Sequence, residues 1–200
     1  PYTTLFRSAC FADLGNTVFC VDKDEQKIEK LNNRQIPIYE PGLKDLVDKN
    51  FLSGRLKFLT NLKFAVTRSD IIFICVGTPT SKKKKSADLQ YVFKAAKDIS
   101  KYINKFKIIV TKSTVPVCTG DKIEKIISQK KTKKYFDVVS NPEFLREGEA
   151  IRDFRFPDRI IVGANNRKTI SKLQSLYSPL ISKGAKFFST NRRGAEIIKY

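Results

Sequence analysis

The sequence predicts an α/β fold built on a doubly wound parallel sheet. Two observations predict it: short apolar runs alternate with longer amphipathic stretches, and several of the runs are apolar throughout. Continuous runs rich in Val, Ile and Phe are typical of strands that are buried on both faces of a parallel sheet. Strand–helix alternation of this length then favours the doubly wound arrangement.

Each element follows from its own pattern. Six short apolar runs indicate strands: Thr17–Val21, Leu56–Leu59, Ile71–Val76, Lys107–Thr111, Phe136–Val139 and Arg159–Val162. Four stretches place apolar residues at helical spacing: Asp24–Asn33, Leu89–Ile103, Gly120–Gln129 and Asn166–Ile181. Ligands bind such sheets at the carboxyl ends of the strands, so we expect the site in the loops that follow them.

Composition narrows the chemistry. The chain has 200 residues and no histidine, which excludes Ser-His-Asp or Cys-His catalysis and His-based metal sites within these residues. Acid–base work must fall to Glu, Asp, Lys, Tyr or Cys. Cys20 and Cys75 lie in apolar runs, which favours reduced thiols, and the longest apolar run is too short to span a membrane. We therefore expect a cytoplasmic protein with no membrane partner.

The net charge of +19, from 39 Lys and Arg against 20 Asp and Glu, has three possible explanations. They are a nucleic-acid partner, an anionic small-molecule ligand, and a lysine-biased background. Only Lys82–Lys85 forms a block, and no common nucleic-acid motif is present. We favour the background together with an anionic ligand, and we expect no nucleic-acid partner.

Polar residues follow several strands. Asp22 ends the first run, where an acid would bind the ribose hydroxyls of a dinucleotide; the alternative is an N-cap of the next helix. Val76–Thr80 and Lys112–Pro116 place hydroxyl groups after two later strands, either as ordinary turns or as ligand loops. Glu143 is the best candidate for a general acid or base, although it could instead be an acid at a helix N-terminus, four residues before Glu147.

Taken in order, these segments resemble the UDP-glucose/GDP-mannose dehydrogenase family from about Ala9 to the last residue. The segments that carry the resemblance are Ala9–Gly15, Val21–Asp22, Ile36–Leu43, Gly54–Leu56, Val76–Thr80, Ser86–Leu89, Lys112–Val117, Asn141–Gly148, Phe156–Gly163, Ala195–Glu196 and Lys199–Tyr200. The resemblance implies a Rossmann-like domain and a four-electron oxidation. In that reaction the primary alcohol of a UDP-sugar becomes a carboxylate and two NAD are reduced, through a cysteine thiohemiacetal and thioester.

The resemblance also implies roles for single residues. Asp22 and Lys27 would hold the adenosine ribose of NAD. The rest of the NAD site would be lined by Val76, Gly77, Thr78, Pro79, Thr80, Ser113, Thr114, Val115 and Glu147. Glu143 would be the acid/base, with Thr114 nearby, and Lys199 would stabilise oxyanion charge near the sugar. The substrate would contact Glu143, Phe144, Leu145, Arg146, Glu147 and Lys199.

The departures from the family set further expectations. Residues 1–8 match nothing in it and resemble a translated sequencing adapter, so we expect a non-native segment in place of the first strand and the Gly-rich loop. We expect an incomplete NAD-binding domain over residues 9–190 and the start of a helical central domain over 191–200. The family's nucleophilic Cys follows Gly-Gly-Ser, a context that this chain lacks. We therefore expect no turnover from this chain alone, and a homo-oligomer for the full-length protein.

The substrate stays open among nucleotide sugars. Ile36–Leu43 and Pro157–Arg159 favour UDP-glucose over GDP-mannose or a UDP-N-acetylhexosamine. A module that only binds nucleotides is the alternative from a different class.

Overall fold

The computed structural model describes residues 2–79, 87–146 and 148–199. Their helices are α1 Tyr2–Asp13, α2 Glu25–Asn32, α3 Leu43–Leu52, α4 Leu62–Arg68, α5 Gln90–Ser100, α6 Thr119–Ser128, α7 Ala150–Arg155, α8 Arg167–Leu176, α9 Ser178–Ile181 and α10 Arg192–Ile198. Their strands are β1 Val18–Val21, β2 Leu56–Leu59, β3 Ile71–Ile74, β4 Lys107–Thr111, β5 Phe136–Ser140, β6 Arg159–Gly163 and β7 Lys186–Thr190. The α/β class expected from the sequence is confirmed.

The chain divides into two compact units. The first comprises Pro1–Ala65 and Leu145–Pro157, and the second comprises Val66–Phe144 and Asp158–Tyr200.

The first unit is built on a parallel pair of strands, β1 and β2, in register from Val18 opposite Leu56 to Val21 opposite Leu59. Helix α1 packs on α7 through the rings of Phe11 and Phe154, which meet edge to face at 5.1 Å. Residues 2–8, expected to be non-native, form the first part of α1.

The second unit is built on a sheet with the order β3-β4-β5-β6-β7 among the described residues. Strands β3, β4 and β5 are mutually parallel, and β6 is parallel to β7. All five residues of β4 are buried, as expected of a central strand.

One pairing in this sheet departs from the expected parallel arrangement. Strands β5 and β6 meet in an antiparallel contact of Ser140 with Gly163. The chain between β5 and β6 passes through α7, which belongs to the first unit.

The predicted helix Asn166–Ile181 is wrong as one element, since it divides at Tyr177 into α8 and α9. Pro179 lies in the first turn of α9. Its nitrogen has no hydrogen to donate, so the α8 ladder cannot continue through it. Tyr177 therefore lies at the break, with its side chain buried.

Four strands have an open edge among the described residues: β1, β2, β3 and β7. Within the described residues β1 pairs only with β2, and β3 pairs only with β4. Three of the four residues in each of β1 and β3 are only half-buried, although all are apolar. Apolar strands with an open edge are prone to self-association.

Candidate nucleotide-binding site

The end of β1 carries an ion pair between Asp22 and Lys27. The Lys27 ammonium donates to Oδ2 of Asp22, and the backbone amide of Asp24 donates to Oδ1 at 3.2 Å. Helix α2 is capped by Asp24, whose Oδ1 accepts from the Lys27 amide at 3.0 Å. The N-cap interpretation of Asp22 is therefore wrong.

The pKa of Asp22 shows what its carboxylate can bind. Burial alone would raise this pKa, but the hydrogen bonds from Lys27 and from the Asp24 amide outweigh it, so the pKa is lowered. The carboxylate is thus ionised at neutral pH and can only accept hydrogen bonds. Such a group at the end of a parallel strand suits the hydroxyl donors of a ribose, so these two residues fit the adenosine end of NAD.

The loops that follow β3 and β4 are joined by two hydroxyl groups. Ser113 Oγ donates to the carbonyl oxygen of Val76 at 3.1 Å, and Thr78 Oγ1 donates to that of Thr114 at 3.4 Å. The structure thus brings together the two loops that the sequence singled out separately, with Gly77, Pro79 and Val115 in them. Thr80 and Lys82–Lys85 lie outside the described residues.

Glu143 lies in a segment without regular structure. Residues 141–146 form no helix, and α7 begins only at Ala150. The alternative of an acid at a helix N-terminus is therefore wrong for Glu143. Its partner in that pattern, Glu147, lies outside the described residues.

Helix α10 brings Lys199 to this segment. The Lys199 ammonium donates to the main-chain oxygen of Glu143 and lies 5.3 Å from the ring centre of Phe144. The guanidinium of Arg159 lies 4.9 Å from the same ring. A lysine that sequence position alone gave as a surface residue therefore contacts the candidate acid/base loop.

Leu145 and Arg146 continue this loop into the first unit. The Arg146 guanidinium binds the Asp153 carboxylate at 2.7 and 3.1 Å and pairs with Glu149 at 2.7 Å. Arg146 is thus held by α7 and its N-cap residue.

A second anchor for the end of this segment was missed from the sequence. The buried carboxylate of Glu40 accepts hydrogen bonds from the amides of Gly148, at 3.0 Å, and Ala150, at 2.8 Å. Glu40 lies in the quoted segment Ile36–Leu43, but nothing in its spacing shows which amides it holds.

Two further residues missed from the sequence fix α10. The buried carboxylate of Glu196 accepts from the amides of Cys118 and Gly120 at 2.8 and 2.7 Å. Arg192 pairs with Asp121 and Glu124 on α6. Its side chain crosses Gly120 so closely that an added Cβ would lie 2.5 Å from Arg192 Cδ. These contacts fix the position of α10, and therefore the position from which the Lys199 side chain extends.

All four cysteines lie in the described residues and none of them forms a disulfide. Cys10 and Cys20 are buried. Burial raises the pKa of the Cys10 thiol to about 12, which keeps it protonated and unreactive. Across residues 2–79, 87–146 and 148–199, no group of His, Cys, Asp and Glu could hold a metal ion. The helices in those ranges include none long and apolar enough to cross a bilayer.

The first unit has a parallel strand that ends in an ionised acid, and the second has paired loops after two parallel strands; each feature is typical of nucleotide-binding α/β proteins. Residues 2–181 match the NAD-binding domain of the UDP-glucose/GDP-mannose dehydrogenase family, and the chain belongs to that family of NAD-dependent dehydrogenases.

Relatives and solved structures agree with this assignment. The chain is 49% identical to the UDP-glucose 6-dehydrogenase of Rhizobium meliloti, over 100% of this chain and 46% of that protein. It is 48% identical to TuaD of Bacillus subtilis, a UDP-glucose 6-dehydrogenase, over 100% of this chain and 42% of that protein. The chain thus spans about half the length of the curated relatives it matches.

Several solved structures are similar over the whole of this chain, and two of them illustrate the match. A UDP-glucose dehydrogenase from Pyrobaculum islandicum has a TM-score of 0.94 at 36% identity, and the match covers 46% of that chain. A GDP-mannose dehydrogenase from Pseudomonas aeruginosa has a TM-score of 0.93 at 34% identity, and again 46% of that chain is covered.

Proposed function

We propose that this chain is the NAD-binding part of a UDP-glucose 6-dehydrogenase, which oxidises UDP-glucose to UDP-glucuronate. The observation that carries the proposal is the contact of Lys199 with Glu143, two residues 56 positions apart. It brings a cation beside the main chain of the candidate acid/base, where it could stabilise the negative charge that develops on an alcohol oxygen. The identities to two UDP-glucose 6-dehydrogenases support the choice of sugar nucleotide.

NAD is the cofactor, and Asp22 with Lys27 would hold its adenosine ribose. The ionised Asp22 carboxylate accepts hydrogen bonds from ribose hydroxyls and repels a 2′-phosphate, which favours NAD over NADP. The remaining NAD contacts come from the loops Val76–Thr80 and Ser113–Val115 and from Glu147. NAD, when bound, accepts the hydride that leaves the substrate carbon.

Glu143 would act as the general base that takes a proton from the substrate alcohol or from water, with Thr114 nearby. Lys199 stabilises the negative charge that develops on the sugar oxygen. Phe144, Leu145, Arg146 and Glu147 contribute substrate contacts along the same segment.

Turnover by the 200-residue chain alone is not expected. None of its four cysteines follows Gly-Gly-Ser, and Cys10 is held protonated. Residues 191–200 would belong to a helical central domain, as the family resemblance implies. In this proposal the binding partner is a nucleotide sugar, and neither a nucleic acid nor a membrane is bound. The protein would work in the reducing cytoplasm.

A different nucleotide sugar is the second candidate. The similarity to a GDP-mannose dehydrogenase structure at 34% identity favours it, and a binding module without activity is the third. NADH absorbance with NAD and either UDP-glucose or GDP-mannose tests turnover, which we expect to be absent. Ligand-observed NMR with each sugar nucleotide then separates the candidates. Selective binding of GDP-mannose would contradict the UDP-glucose assignment.

A further inference from the structure

Lys112 is a buried lysine at the carboxyl end of β4. Its ammonium donates to Oδ1 of Asn141 at 3.0 Å and to the hydroxyl of Tyr177 at 3.1 Å. It also lies 5.9 Å from the ring centre of Phe73 and 5.6 Å from that of Tyr177. A buried cation is tolerated only where hydrogen bonds replace its water, and these contacts supply them.

Asn141 is the centre of the cluster. Its Oδ1 also accepts from the Tyr177 hydroxyl at 2.5 Å, and its Nδ2 donates to the carbonyl oxygen of Ile161 at 2.7 Å. Its backbone amide donates to the carbonyl oxygen of Thr111 at 2.9 Å. Buried networks satisfied in this way hold their members rigidly, so Asn141 has one position.

The cluster lies at the base of both candidate loops. Lys112 directly precedes Ser113 in the loop after β4, and Asn141 lies two residues before Glu143 in the loop after β5. Tyr177 comes from a third place, the break between α8 and α9. The ring of Tyr177 fits the helical pattern of apolar residues, but that pattern gives no reason for its hydroxyl.

We propose that Tyr177 is a positioning residue, which, with Lys112, fixes Asn141 and thereby the placement of the Glu143 loop against Lys199. The meaning of that placement for catalysis rests on the proposed function. The placement itself does not, because it concerns contacts within the second unit alone. Tyr177 acts through Asn141 and has no contact with substrate in this proposal.

The test compares Tyr177→Phe with Ile127→Val by NMR on the 200-residue chain. Tyr177→Phe removes only the hydroxyl, and Ile127→Val removes one methylene from a fully buried position on α6. The first readout is hydrogen exchange of the Asn141 side-chain amide. The second is the ring-current shift that Phe144 imposes on the ε-methylene of Lys199, which reports the position of the loop.

We expect Tyr177→Phe to accelerate Asn141 side-chain exchange about fivefold, the equivalent of one net hydrogen bond. We also expect the Lys199 shift to shrink in this variant. Ile127→Val should leave both signals as in the wild type, although it lowers the thermal midpoint. Lys112→Met breaks the cluster from its other side and should repeat the Tyr177→Phe result, which keeps the test decisive if one variant fails to fold.

The proposal would be overturned if the Lys199 ring-current shift stayed unchanged in Tyr177→Phe. It would also be overturned if that shift decreased equally in Ile127→Val. NAD titration of the same wild-type sample separates the two ideas. Absence of NAD binding would count against the proposed function and leave the positioning result standing.

Discussion

Glu196 on α10 accepts a hydrogen bond of 2.7 Å from the backbone amide of Gly120 at the start of α6. The same carboxylate accepts from the amide of Cys118 at 2.8 Å. A side chain 76 residues away thus satisfies two amides at a helix N-terminus, which would otherwise have no partner within α6. Because α10 also carries Lys199, this contact links the stability of the second unit to its candidate site.

Replacing Glu196 with Ala should lower the free energy of unfolding by about 1–3 kcal/mol, because the buried amide of Gly120 and the half-buried amide of Cys118 lose their acceptor. Urea unfolding followed by circular dichroism measures this. Glu29→Ala, at an exposed position on α2, is the control and should have little effect. Equal stability of the two variants would show that Glu196 does not hold α6.

Replacing Cys118 with Gly should stabilise the chain by about 0.5–1 kcal/mol. Cys118 has a φ of 70°, a left-handed conformation that costs a residue with a Cβ about 1–2 kcal/mol. The greater freedom of Gly in the unfolded chain offsets part of the gain. Cys118→Ala keeps the Cβ and serves as the control, so a gain equal to that of Gly would refute the strain explanation.

Acidification should destabilise the second unit through Arg192. The hydrogen bond from Arg192 lowers the pKa of Asp121 by more than burial raises it. Burial alone would raise the pKa of Glu124, but the hydrogen bonds from Lys133 and Arg192 lower it. A carboxyl whose pKa is lower in the folded state stabilises above its ordinary value, and this stability is lost as the pH falls through the folded value.

The contribution of Glu196 to stability depends on pH in the opposite direction. Burial raises its pKa in spite of the two amide hydrogen bonds, so its contribution is largest below its ordinary pKa and falls as the pH rises. Because Asp121 and Glu124 lose their stabilising charge there, the thermal midpoint, measured from neutral pH to about pH 2, should fall at the acid end, and Glu196 should reduce that fall. Arg192→Gln should flatten this decrease more than Arg193→Gln, because Arg193 is exposed and binds Asp121 alone. Identical acid profiles for the two variants would contradict the assignment.

The chain should self-associate as its concentration rises. Strands β1 and β3 each pair on one side among the described residues, and both present half-buried apolar residues. Light scattering over a dilution series measures the association, which mild denaturant should reduce. A monodisperse preparation that unfolds in one cooperative transition would count against this expectation.

Two strands, Leu56–Leu59 and Lys107–Thr111, have the bounds that the sequence indicated. The other four predicted strands are present, with ends that differ by one or two residues. β7 was missed, since three of its five residues are exposed and its edge position gives it no clear pattern. The break at Tyr177 was missed because the apolar spacing continues across Pro179.

The candidate site was predictable only where residues precede or follow a strand. Asp22 and the loops after β3 and β4 could be placed at strand ends from local sequence. The contacts of Lys199 with Glu143, and of Tyr177 with Asn141, join residues 56 and 36 positions apart. Such contacts depend on tertiary packing, which no spacing in the sequence reveals.

Binding of NAD and NADP to the wild-type chain and to Asp22→Asn, measured by isothermal titration calorimetry, tests the central claim most directly. The wild type should bind NAD saturably and bind NADP at least about tenfold more weakly, because the ionised Asp22 accepts ribose hydroxyls and repels a 2′-phosphate. Asp22→Asn should weaken NAD binding and reduce the preference for NAD over NADP. Equal binding of NAD and NADP by the wild type, or an NAD affinity unchanged in Asp22→Asn, would contradict the assignment of this strand end to NAD.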